Sequence, residues 1–192
     1  MKNVLTLAII LILSYSASFA QDLAGRRIIN GNLNFNLINN NNSNQSNFNS
    51  NIALLYGKIK SDNTYLALGG RLGISNFSTA TGEFEKYSNT LYQVGPSVAY
   101  GKFIPLANKF FYAPELGGNI TGYFGNGTGI GATINVSPLR FMYHFAENFM
   151  LTAQLGSAGL GFQQLNDVTI IDLSSSIANN SGIGVFYTFK AK

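Results

Sequence analysis

The chain has 192 residues and a formal net charge of +4, yet only 10% of its side chains are charged, far below the roughly 25% of an ordinary soluble domain. It contains no cysteine, which excludes thiol nucleophiles, thiolate metal sites and disulfide staples. Arg26-Arg27 is an isolated basic pair with no basic stripe after it, so the positive charge argues for no nucleic-acid partner.

In chain order, the first segment reads as a secretory signal peptide. Met1-Lys2 is a positive start, Val4 to Leu13 is apolar, and Ser18-Phe19-Ala20 puts small residues before a cut at Gln21. Ten or so apolar residues cannot cross a bilayer core that needs about 20. The expected layout is therefore a signal peptide over 1–20 and one exported, folded unit over 21–192.

After Gln21 the dominant signal is period-two alternation, which is strand rather than helix spacing. Leu66, Leu68, Leu72 and Ile74 oppose Ala67, Gly69, Arg71 and Gly73. Tyr92, Val94, Val98 and Tyr100 oppose Gln93, Gly95, Ala99 and Gly101. The pattern predicts strands over 27–37, 48–60, 64–76, 90–103, 109–123, 129–145, 149–162 and 176–189. Short turns at 61–63, 105–108 and 146–148 alternate with mostly longer polar connections at 39–47, 77–89, 124–128 and 163–175. The stretch 168–175, with Val168, Ile170 and Ile171, reads as an extension of the last hairpin. The predicted fold is all-β: an eight-stranded antiparallel up-and-down transmembrane β-barrel with short turns on the periplasmic side.

A hairpin motif recurs: Val94-Gly95-Pro96, Phe103, Asn108 and Glu115-Leu116-Gly117 match Val136-Ser137-Pro138, Phe145, Asn148 and Gln154-Leu155-Gly156. With the signal segment, Gly31-Asn32-Leu33-Asn34-Phe35-Asn36 and the terminal Gly184-Val185-Phe186-Tyr187-Thr188-Phe189, this resembles the small outer-membrane β-barrel domain family, with its OmpA/OmpX-like eight-stranded members. The resemblance covers nearly all of the mature chain and implies an outer-membrane location, surrounding lipid and the barrel insertion machinery as partners. One departure is that Phe189 is followed by Lys190-Ala191-Lys192, where such barrels usually end on an aromatic residue.

Alternation points Arg71, Glu115 and Gln154 into the barrel, opposite Leu72, Leu116 and Leu155. An interior charge needs a partner, so an Arg71–Glu115 ion pair is expected, with Gln154, Gln93 or Asn135 completing its hydrogen bonds. A filled lumen of this size leaves no aqueous channel. The aromatics Tyr56, Tyr100, Phe103, Phe110, Tyr112, Tyr143, Phe145, Phe149, Tyr187 and Phe189 read as one interfacial girdle, with Lys58, Lys60, Lys102 and Lys109 at its level. His144, the single histidine, is expected beside that girdle. It has no nucleophile at catalytic spacing, since Ser137 is seven residues away along the strand.

No metal or cofactor is expected: there is one histidine, no cysteine, and the carboxylates are scattered. The expected role is non-enzymatic: a monomeric outer-membrane scaffold whose outer loops, the one at 77–89 first among them, meet an extracellular ligand. The alternatives are a narrow porin-like channel and a periplasmic ligand-binding β-barrel.

Overall fold

A computed structural model describes residues 23–40, 45–81 and 85–190. The signal segment and its cut after Ala20 lie outside the described residues, as do Ala191-Lys192, residues 82–84 and the side chains of 77–88. The described chain is all-β and antiparallel. Its strands are β1 (Arg26–Asn40), β2 (Gln45–Ile59), β3 (Thr64–Thr81), β4 (Glu85–Lys102), β5 (Ile104–Ala107), β6 (Phe110–Tyr112), β7 (Glu115–Gly125), β8 (Gly129–Ser137), β9 (Arg140–Ala146), β10 (Phe149–Leu165) and β11 (Val168–Lys190).

Pairing runs β11-β1-β2-β3-β4-β7-β8-β10, and β10 also pairs with β11, which returns the run to its start. The β1–β11 seam is paired from Arg26 to Gly31. Short strands β5, β6 and β9 continue the sheet at the end where the chain enters and leaves, with β9 paired to the first half of β10 and β6 to β9. Tight turns close that end. Asn63 and Lys109 take positive φ there, at 61° and 65°, a conformation that asparagine tolerates better than most residues.

At the opposite end the ladders run further than the sequence pattern predicts. β1 and β2 pair as far as Asn40↔Gln45, and β3 and β4 as far as Thr81↔Glu85. β10 and β11 meet at Leu165↔Val168 across Asn166-Asp167, with Asn166 at φ 49°. The described residues of the expected connections at 39–47 and 77–89 are thus strand, and 168–175 extends the last hairpin, as its Val168, Ile170 and Ile171 suggest. The reason is visible in the last: Leu160 and Phe162 continue the outward row while Gly161 and Gln163 continue the inner one.

Burial alternates along nearly every strand. On β2, Leu54, Tyr56 and Lys58 are exposed while Leu55, Gly57 and Ile59 are buried. Two breaks invert this parity. Between β8 and β9, both Pro138 and Leu139 are exposed, so Ser137 and Arg140 both face inward. Across from them on β10, Gln154 and Gly156 face inward and then Ser157 and Gly159 do. The register is the same on either side of the bends, Ala158↔Val136 above and Gln154↔Arg140 below. A hydrogen bond from the Leu155 amide to the Leu139 carbonyl (2.8 Å) ties them together.

Candidate functional site

The inner face changes character along its length. At the end with the tight turns it is filled by apolar side chains, among them Leu23, Ile28, Ile59, Phe111, Met142 and Met150, all at most 1% exposed. Leu23 precedes β1 and tucks under the strands, and the Gly25 amide donates to the Ile59 carbonyl (3.0 Å). Phe103 sits at the centre, its ring centroid 5.0 Å from Tyr65, 6.2 Å from Phe111 and 6.5 Å from Phe186. Placing Phe103 in the outer girdle is therefore incorrect. The alternation that turns Tyr100 and Lys102 outward puts Phe103 on the opposite face.

Above this floor lies a charged layer. Register aligns Tyr65 of β3 with Gly101 of β4, and Gly101 with Glu115 of β7. Gly101 has no side chain, so the Tyr65 ring lies across it; a Cβ there would stand 2.6 Å from that ring. The Tyr65 hydroxyl reaches Glu115 and donates to its Oε2. Arg140 forms a salt bridge with the same oxygen, both side chains being nearly enclosed. Its Nη1 also donates to the Tyr65 oxygen (3.2 Å), and its guanidinium lies 4.7 Å from the Phe186 ring centroid.

Glu115 is thus paired with Arg140, and the expected Arg71–Glu115 bridge does not form. The cause is stagger. Arg71 aligns with Gly95, six residues along β4 from the Gly101 that faces Glu115, or about 20 Å at strand rise. Arg140 escapes the sequence pattern because a single strand over 129–145 would turn it outward. Pro138, which cannot donate to a ladder, is the signal that marks the break.

Beyond the charged layer the inner face lines a half-open cavity of about 370 Å³. Arg71, Glu115, Asn135 and Gln154 all border it, joined by Arg140 and by Asn30 and Asn51. Gln93 is not on its wall; its Nε2 donates to Ser75 Oγ (2.8 Å) further up the same face. The Arg71 Nε is buried without a hydrogen-bond partner.

His144 is 2% exposed and faces inward from β9, which corrects its expected place beside the outer aromatics. Its Nε2 lies 2.9 Å from the Glu147 carbonyl oxygen, which also accepts from Arg26 Nη1 (3.0 Å). That contact fixes the turn after β9 and presents no nucleophile. Among the described residues no group of three or more histidine, cysteine or carboxylate side chains is placed to hold a metal.

Outside, Tyr56, Tyr100, Phe110, Tyr143, Phe145 and Phe149 are exposed, and Tyr112, Tyr187 and Phe189 are half-buried. Several stand in contact across strands. Phe145, Phe149, Tyr187, Phe189 and Tyr56 form one series with neighbouring centroids 5.0–6.5 Å apart. Arg27 ends the series, donating to the Tyr56 hydroxyl. Comparison of the chain with protein-family models and with curated proteins gives no match.

Proposed function

We propose that this chain is an integral outer-membrane protein: an eight-stranded transmembrane barrel that acts without enzymatic activity as a surface scaffold for binding or adhesion. The count of eight takes β4 with β5, β6 with β7, and β8 with β9 as single strands interrupted at Phe103, at Ala113-Pro114 and at Pro138-Leu139. One observation carries the reading. Large apolar side chains cover the outside of the strands, with Leu54 61%, Leu68 59% and Ile134 59% exposed, whereas soluble proteins rarely expose apolar patches beyond a few hundred Å².

The outward apolar row on β3 runs from Leu66 to Ile74, and that on β4 from Tyr92 to Tyr100. Each matches the roughly 9–11 residues that a tilted strand needs to cross a bilayer. Above these rows polar pairs take over, as where Asn76 Nδ2 donates to Thr90 Oγ1 (2.8 Å). The hairpins beyond that level would stand in water and offer the scaffold its binding surface. A periplasmic ligand-binding barrel would require the reverse, polar side chains outside. The aromatic floor and the charged layer across the inner face speak against a channel.

Fractionation of cells expressing the full chain, with gels run before and after boiling, tests the proposal. The expected result is a membrane-bound protein, extracted only by detergent, whose unheated form migrates faster than the heated one. Recovery in the periplasm without detergent would overturn it. Planar bilayers with the purified protein are expected to show no conductance steps.

A further inference from the structure

We propose that the cavity above the charged layer is a binding site for a small hydroxylated organic anion, such as a sugar acid, with Arg71 as its anchor. The inference rests on the interior geometry and not on the membrane reading, so each can fail without the other.

Three observations converge. The first is size: about 370 Å³ lies within the 300–1,000 Å³ typical of small-molecule pockets. The second is the isolation of Arg71. It is enclosed for much of its length, but its strand neighbours are Ala53 and Gly95, which offer no polar side chain. Among the described residues no carboxylate lies within salt-bridge distance of it, and its Nε has no partner. Glu115, the nearest candidate in the sequence pattern, is taken by Arg140 and Tyr65.

An interior cation without a counter-charge is costly, and a guanidinium fork is shaped to hold a carboxylate or phosphate through two parallel hydrogen bonds. The third observation is the wall. Asn30, Asn51, Asn135 and Gln154 border the same space, and carboxamides both donate and accept, which suits hydroxyl groups. Gly117 leaves room for the Asn135 carboxamide, since a Cβ there would lie 2.8 Å from its Oδ1. Asp172 of β11 also borders the cavity and forms no salt bridge with Arg71. Its negative charge opposes the proposed ligand, which gives the test a second arm.

Isothermal titration of purified, folded protein with glucuronate, inorganic phosphate and glucose decides the question. Glucuronate is expected to bind saturably, phosphate more weakly, and neutral glucose not at all. Arg71→Gln is expected to weaken glucuronate binding by about tenfold or more, and Asp172→Asn to tighten it. Should Arg71→Gln fail to fold, Arg71→Lys carries the same comparison, since it keeps the charge and loses the fork. Absence of saturable glucuronate binding up to about 10 mM, equal affinity in the Arg71 variant, or glucose binding as tightly as glucuronate would each overturn the proposal.

Discussion

Gly101 shows how a missing side chain can be as specific as a present one. It stands between Tyr65 and Glu115 in the register of three neighbouring strands, and its open space lets a phenol hydroxyl reach a carboxylate two strands away. The three-way contact among Tyr65, Glu115 and Arg140 is enclosed, so removing either charged partner strands the other. Glu115→Ala is expected to cost about 3–5 kcal/mol, the range for breaking a buried pair. Urea unfolding of the detergent-folded protein measures it, and Glu115→Gln, which keeps a hydrogen-bonding group, is expected to lose less. The inward direction of Glu115 was legible from alternation alone. Its partner was not, because pairing depends on the relative stagger of β3, β4 and β7, and no single strand carries that information. Phe103 was legible in principle: odd positions of its strand face inward, and aromatic type alone does not override parity.

Among the elements, the turn between β2 and β3 is held by Asp62. Its carboxylate accepts from the Thr64 amide (3.1 Å) and the Thr64 hydroxyl (2.6 Å). These hydrogen bonds, the hydroxyl first, hold the Asp62 carboxyl below its ordinary value of 3.8, with Lys102 contributing in the same direction. The folded value is the depressed one, so the turn is fully supported above the ordinary value and loses this support as pH falls through the lower folded value. Proton NMR titration of Asp62 is expected to show that lowered midpoint, and Thr64→Ala to move it back up. The turns at Ser61-Asp62-Asn63 and Glu147-Asn148 were legible from their Asp, Asn and Ser content, whereas the turn expected over 105–108 is strand as far as Ala107 and reverses at Asn108-Lys109. The length of the β1–β2 and β3–β4 hairpins was not, because Asn-rich and Ser-rich segments read as loops by composition although their backbones remain in register, whereas Val168, Ile170 and Ile171 did mark the extension of the last hairpin. Where a segment has weak preferences of its own, the ladder it grows from decides.

For the whole molecule, the outer apolar surface and the inner polar cavity invert the arrangement of a soluble domain. The low charge content already pointed that way, since the outward apolar rows carry charge only at their ends, as at Arg27, Lys58 and Lys102. A charge placed in the apolar row separates the environments that such a surface could meet. In a bilayer, Leu68→Arg is expected to cost about 2–4 kcal/mol, read by unfolding from lipid vesicles. On a water-facing surface the same change would stay within about 0.5 kcal/mol. The paired bends on β8–β9 and β10 bear on how such a molecule can vary. Each bend turns its strand's faces over, but because both lie at one height the register is identical above and below. Losing one residue at Leu139 alone would slide β9 by a step, turning Arg140, Met142 and His144 outward and Phe141, Tyr143 and Phe145 inward. The two bends therefore constrain each other's length, and a descendant of this chain could shorten or lengthen one only together with the other.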